Sequence, residues 1–457
     1  MKFKCIETPA ISHYAYVIAD GNCAAVVDPR RDVDDYLAAA REFGCRITHV
    51  IETHRQEDFV MGSAYLARLT GARVVNGEHE LFGHGDLRLG DGDSFTLGSL
   101  KICALHTPGH TPESMCYAVY EKGADIPWGV FTGDTLFFGD TGRSDLPGAD
   151  KSVENAALLY DSVHGRLKAL GDTVLVFPAH GPGSVCGSGM SEKPFSTIGE
   201  ERRLNDVFTL DRDAFARKKG GERLPRPPYF RLMEKVNLHG GLEPPEVLGA
   251  VRFLGPEEFA DARKRRQVFD TREPEAFAGG HIADSYSIWL QGLPVFGGWL
   301  ADETTELLLV GDRGEDMETA ALYLSRIGID RVEGALAGGF GSWRNSGHPF
   351  RHNRVITPRE LIDRLDEMQV LDVREDGEFD SGHIPGAVHL YVGYLEERLS
   401  ETGLDRDRTL VVTCGVGHRA GLAVSILLRL GFTDVRNLLG GMKAWGACDF
   451  PMDQGGH

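Results

Sequence analysis

The chain has 457 residues, 42% of them apolar and 26% charged, which is the composition of a globular protein and excludes a disordered or fibrous one. At about 100–200 residues per domain, this length predicts three domains rather than a single core. Lys and Arg number 49 against 68 Asp and Glu, a formal net charge of −19, and no basic run tracks a phosphate backbone, so nucleic acid is excluded as a partner and nuclease chemistry with it.

Met1-Lys2-Phe3-Lys4-Cys5-Ile6-Glu7 lacks the apolar stretch of a signal peptide. No later segment approaches the run of about 18 apolar residues that a membrane helix needs. A cytoplasmic location without a membrane partner is therefore expected. The eight cysteines, at 5, 23, 45, 103, 116, 186, 414 and 448, show no paired spacing and read as reduced thiols.

The first roughly 200 residues alternate short apolar strands, such as 24–28 and 173–177, with loops rich in Gly, His and Asp. Residues 47–53 read as a strand and 60–69 as a helix, with His54 between them at the strand end. His110 lies in Thr107-Pro108-Gly109-His110, where Pro and Gly set a loop conformation that an ordinary core histidine does not need. Asp134 follows the apolar pair Val130-Phe131 and the turn Thr132-Gly133. Two imidazoles and one carboxylate form the ligand set of non-heme Fe(II) oxygenases, which leaves positions open for oxygen and substrate. Further along come His180 in Phe177-Pro178-Ala179-His180 and Cys186, a candidate sulfur relay or an ordinary loop cysteine. A charged helical stretch closes the first domain at 218, and Pro/Gly-rich residues 219–247 read as a linker.

The remainder is an internal repeat. Val268-Phe269-Asp270-Thr271-Arg272-Glu273 and Gly280-His281-Ile282 recur as Val370-Leu371-Asp372-Val373-Arg374-Glu375 and Gly382-His383-Ile384. Gly338-Gly339-Phe340-Gly341-Ser342-Trp343 recurs as Gly440-Gly441-Met442-Lys443-Ala444-Trp445. Each copy spans about 100 residues, one domain's worth, and the copies are placed at 248–352 and 353–457. In the second copy a strand, 409–413, runs into Cys414-Gly415-Val416-Gly417-His418-Arg419 and a helix. A cysteine there meets converging backbone N–H groups that stabilise a thiolate or persulfide anion. Arg419 offers a charged fork to an oxyanion such as sulfite or thiosulfate. In the first copy Asp312 stands where the cysteine would be, followed by Glu315 and Asp316, so no persulfide can form and that copy reads as non-catalytic.

The segments Thr53-His54-Arg55-Gln56-Glu57-Asp58-Phe59, His106-Thr107-Pro108-Gly109-His110 and Thr132-Gly133-Asp134 together resemble the metallo-β-lactamase signature. The resemblance implies an α/β fold, an αββα sandwich, followed here by two small α/β domains that resemble rhodaneses. Two-metal members carry His at the places held by Gln56 and Phe59, so one metal on His54, His110 and Asp134 is favoured, with Gln56 and Asp58 beside it. The half is similar to the persulfide dioxygenases, also called sulfur dioxygenases, and the whole chain to their fusions with rhodanese domains, enzymes of sulfide detoxification. That implies one Fe(II) per chain and a thiol persulfide of glutathione, coenzyme A or another carrier, oxidised by O2 to sulfite. It also implies substrate contacts at Thr111, Arg143 and His180, and at Gly415, Gly417 and His418 around Cys414, which would pass sulfur to sulfite and give thiosulfate. A glyoxalase II-like thiolester hydrolase is the competing enzyme, and a scaffold in which only Cys414 reacts is the non-enzymatic reading of the metal half. Whether copies of the chain associate stays open.

Overall fold

The computed structural model describes residues 1–187, 189–245 and 249–455. One compact unit comprises Met1–Glu222, Tyr229–Glu246 and Arg326–Gly328, and the other Arg223–Pro228, Val247–Ser325 and Ile329–His457. The expected junction at 247/248 lies outside the described residues.

In the first unit two six-stranded sheets are stacked. One runs in chain order from Lys2–Thr8 through His13–Asp20, Cys23–Val27, Arg46–Ile51 and Arg73–Gly77 to Leu87–Leu89. The other is ordered Ser196–Thr197, Leu175–Pro178, Gly129–Gly133, Met115–Tyr120, Leu100–His106, Ser94–Leu97. Alternate residues of each strand point to opposite faces. Tyr16, Ile18, Ala25 and Val27 of the first sheet therefore meet Ile102, Ala104, Tyr117 and Phe131 of the second in one core. Val17, Ala19, Ala24 and Val26 face the other way, onto the helix Asp34–Phe43. Ala118, Val130 and Val176 likewise pack on the helices Ser152–Ser162 and Arg212–Gly220. Helices cover both outer faces, which makes the αββα sandwich, and strands buried on both sides read as unbroken apolar runs. Loops leaving Arg46–Ile51, Leu100–His106, Gly129–Gly133 and Leu175–Pro178 carry His54, His110, Asp134 and His180.

Within the stretch read as a linker, Phe230–Asn237 is a helix of the first unit. Its last residue, Asn237, is fully buried and donates through Nδ2 to the carbonyls of Gln56 (2.6 Å) and Phe59 (2.8 Å), while Oδ1 accepts the Met61 N–H at 2.9 Å.

The second unit is the repeat made visible. Its first copy orders five parallel strands as Phe253–Leu254, Val332–Leu336, Leu307–Val310, Gln267–Asp270, Tyr286–Ser287. The second copy orders them identically: Val355–Ile356, Val435–Leu438, Leu410–Thr413, Gln369–Asp372, Val388–His389. The shared sequence motif becomes a shared clamp. Arg272 forks onto Asp270 and reaches the Gly280 carbonyl at 2.8 Å; Arg374 forks onto Asp372 and reaches Gly382 at 2.7 Å. Trp343 and Trp445, both buried, donate to the carbonyls of Pro349 and Pro451.

Candidate metal centre and thiol loop

Asp28, with φ of 49°, turns the chain after the strand Cys23–Val27 and accepts hydrogen bonds from Thr53 N and Thr53 Oγ1, both at 2.8 Å. Burial pushes its carboxyl up to about 7, the bonds from Thr53 holding it back from a larger rise. Because Thr53 Oγ1 gives its hydrogen to Asp28, its lone pair faces His54 Nδ1 at 3.0 Å, which assigns the proton to Nδ1 and leaves Nε2 bare. His110 Nδ1 donates to the Arg143 carbonyl at 2.8 Å, so its Nε2 also points inward. Asp134 Oδ1 accepts from His180 Nδ1 at 2.8 Å and keeps Oδ2 for the centre, 3.4 Å from His110 Nε2 and 3.8 Å from His54 Nε2.

Two glycines permit this approach. Gly133 has φ of 51°, and a Cβ there would lie 2.5 Å from Thr53 Oγ1. A Cβ on Gly142 would lie 2.3 Å from the Asp134 carbonyl and 2.8 Å from His110 Nδ1.

His54 Nε2, His110 Nε2 and Asp134 Oδ2 are buried without a hydrogen-bond partner, and ligand atoms of these three residues lie within 4.8 Å of one another. Buried polar atoms left bare are costly unless something fills the space between them, so this donor set fits a metal ion. Burial pushes His54 down to about 4, Asp134 only partly opposing it, so its imidazole is neutral and ready to ligate. For His110 burial also works downward, but Glu57 and Asp134 outweigh it and raise the group; a metal would release that proton. Asp134 is held well below the carboxylate range, His180 and His54 outweighing the effect of burial.

His180 lies between two carboxylates, with Nε2 2.9 Å from Asp58 Oδ2, an ion pair rather than an aligned hydrogen bond. Burial opposes its charge, yet Asp134 and Asp58 together hold it well above the usual histidine range. A metal bound at His180 would release that proton, as at His110. Cys186 is buried beside Asp58 and His180, close enough for all three to share an ion. Burial, then Asp134 and Asp58, push its thiol well up, so it is protonated.

Gln56 rests against His54, its Nε2 3.4 Å from Nδ1, and Phe59 packs with Ile11 and Met61, 4.2 Å from the ring of His13. Arg143, read as a substrate contact, is 1% exposed; its fork grips Asp145 at 2.6 and 2.7 Å and its Nη1 reaches the Val185 carbonyl. Thr111 is buried, its hydroxyl 2.7 Å from that of Ser114. Sequence reasoning missed Glu57, whose Oε2 turns toward the two imidazoles, and its neighbours Arg55 and Glu113. The only signal was position, one residue before Asp58. It also missed Asn237, which lies far from the motif in the chain.

In the second unit Cys414 is 1% exposed at the end of Leu410–Thr413, and the Gly417 N–H donates to its Sγ at 3.1 Å. The helix His418–Arg429 starts there. Arg419 is engaged by Glu378 through two bonds of 2.6 and 2.7 Å. His418 pairs with Glu273 at 3.0 Å and stacks on Trp289. In the first copy Arg313 forks onto Asp316 beside the exposed Asp312, and Ala276 takes the place of Glu378 in the repeat.

No described helix is long and apolar enough to cross a membrane. Residues 8–181 match the family described as the metallo-beta-lactamase superfamily, and residues 255–346 and 357–448 each match the rhodanese-like domain. The human mitochondrial persulfide dioxygenase ETHE1 is 29% identical over 52% of this chain and 87% of its own length. A probable metallo-hydrolase of Burkholderia pseudomallei is 29% identical over 54% of this chain and 94% of its own. A crystal structure of a metallo-beta-lactamase from Staphylococcus aureus subsp. aureus COL is 30% identical with a TM-score of 0.66, covering 74% of this chain and 98% of that one. The chain belongs to the metallo-beta-lactamase superfamily, and two rhodanese-like domains follow on the same polypeptide.

Proposed function

We propose that the protein oxidises a low-molecular-weight thiol persulfide to sulfite at a single iron and passes sulfane sulfur through Cys414 to give thiosulfate. Family membership implies a metal, and the persulfide dioxygenase relatives with the rhodanese-like domains support a place in sulfur metabolism. The observation that carries the finer reading is the His54, His110, Asp134 trio beside a His180 that bridges Asp134 and Asp58. A hydrolase of this fold generally activates water across two metals. Here Gln56 and Phe59 stand where two histidines of a two-metal site belong, and Phe59 is packed with Ile11 and Met61.

His54, His110 and Asp134 would hold the metal, oriented by Thr53, the Arg143 carbonyl and His180. When bound, iron would supply the redox activation of O2 and an attachment point for the terminal sulfur. The overall reaction is RSSH + O2 + H2O → RSH + HSO3⁻ + H⁺. All three of these residues are buried, which would keep bulk water from a sulfur held between them. At the thiol loop, Cys414 thiolate attacks the outer sulfur of RSSH and releases RSH. Sulfite then removes that sulfur, S–S cleavage regenerating the thiolate and yielding thiosulfate. The Gly417 N–H bond to Sγ would stabilise the thiolate that attacks and is later regenerated. Arg419 would position sulfite once Glu378 yields part of its fork.

The test is oxygen uptake by anaerobically purified, iron-loaded protein given glutathione persulfide, with sulfite and thiosulfate quantified. Oxygen-dependent sulfite in Cys414→Ser and thiosulfate only in the parent are expected. Iron-loaded protein that consumes no oxygen, with a zinc-loaded form that hydrolyses glutathione thiolesters, would overturn the reading in favour of the hydrolase.

A further inference from the structure

We propose that Glu57 is a fourth protein ligand, completing a two-histidine, two-carboxylate site with His54, His110 and Asp134. Glu57 sits in the loop after Arg46–Ile51 and is fully buried. Its Oε1 is 3.3 Å from Arg55 Nε, and the same nitrogen is 3.4 Å from Glu113 Oε1, so one oxygen is tethered. The other, Oε2, has no hydrogen-bond partner. It lies 3.6 Å from His110 Nε2 and 3.9 Å from His54 Nε2.

Asp134 Oδ2 stands 3.4 and 3.8 Å from the same two nitrogens, so the two carboxylates approach the imidazole pair almost equally closely. These separations are too long for hydrogen bonds. Ligands at about 2.1 Å from one ion sit roughly 3.0–3.4 Å apart at right or tetrahedral angles and about 4.2 Å apart across it, so Glu57, which stands outside the three-residue cluster spanning 4.8 Å, would close by about 0.2–0.9 Å on the two imidazoles to bond the same ion. Charge agrees: two neutral imidazoles and two carboxylates balance a divalent ion. The neighbouring position, where a two-metal site would present a histidine, is Gln56, which faces the back of His54 instead. The imidazole lost at 56 is thus replaced by a carboxylate at 57 that enters from an Arg55 tether.

The inference rests on a metal at the three-residue cluster, not on which reaction that metal supports. It is tested on full-length, metal-free protein titrated with Co(II), whose visible spectrum reports coordination number and whose affinity is read by chelator competition. Glu57→Gln and Glu57→Ala are expected to weaken Co(II) binding at least tenfold and to change the band positions and intensity. Acetate added to Glu57→Ala should restore the parent spectrum. Near-ultraviolet circular dichroism of the metal-free forms checks that both variants fold; if Ala does not, Gln carries the comparison. Affinity within threefold of the parent, or a weaker site with an unchanged spectrum, would overturn the assignment and leave Glu57 as an outer partner. A parent that binds no Co(II) sinks the metal site itself. Tight Co(II) binding without persulfide oxidation by the iron form sinks only the dioxygenase reading.

Discussion

Asn237 holds the metal-site loop by its backbone, so its removal should open that loop while leaving every ligand in place. Asn237→Ala deletes three hydrogen bonds, to the Gln56 and Phe59 carbonyls and from the Met61 N–H, and strands those groups at a fully buried position. At a net value of about 1 kcal/mol each, the loss is about 3 kcal/mol. Since 1.4 kcal/mol is tenfold, the closed-to-open ratio of the loop falls roughly 100-fold. Hydrogen exchange of the peptide spanning residues 55–62 in metal-free protein reads this directly, with the Met61 amide losing its acceptor. Metal affinity should fall about 10–100-fold, as for other groups that orient ligands from behind. Asn237→Asp should be worse, because it sets a carboxylate against two carbonyl oxygens. Unchanged exchange and metal affinity within threefold of the parent would refute the idea that this side chain organises the loop.

Three further outcomes follow from the geometry. Gly142→Ala places a Cβ 2.3 Å from the Asp134 carbonyl and 2.8 Å from His110 Nδ1, so metal affinity should drop at least tenfold in chelator competition, with a stability cost of about 1–3 kcal/mol. Burial raises the Glu378 carboxyl, but the Arg419 fork outweighs it and lowers the group below its ordinary 4.5, so the pair's stability is present above that value and lost as pH falls through the lower folded one. With Glu378 39% exposed the gain is only about 1 kcal/mol, and acid-unfolding curves of Glu378→Gln and the parent should differ at neutral pH and converge in acid. Asp312→Cys in a Cys414→Ser background should form no thiosulfate, because Ala276 and the Arg313–Asp316 pair leave no equivalent of the Glu378–Arg419 arrangement; thiosulfate above the Cys414→Ser level would contradict this.

That His54, His110 and Asp134 come together was legible because each ends an apolar run at a turn, and sheets buried on both faces write their strands as such runs. Cys414 was legible because the strand, the glycines and the helix start adjoin it in sequence. Glu57 was not, since a carboxylate beside a motif points inward or outward according to its tether, and Arg55 and Glu113 meet only in the folded loop. Asn237 was hidden by distance along the chain, in a stretch whose Pro and Gly content suggested a connector rather than a helix. Arg143 and Arg419 were found as residues but not as partners. Asp145 and Glu378 already engage their forks, and whether an arginine is free is decided by packing, not by its identity.

The Asp–Arg–carbonyl clamp present in both rhodanese-like copies joins the end of one strand to the residue that closes the short helix after it, and none of its hydrogen bonds comes from residue 312 or 414. The clamp closes within residues 270–280 and 372–382, and the second of these stretches also lends Glu378 to Arg419. A change at residue 312 or 414 therefore leaves every bond of the clamp in place, and the same architecture stands whether an aspartate or a cysteine occupies that position.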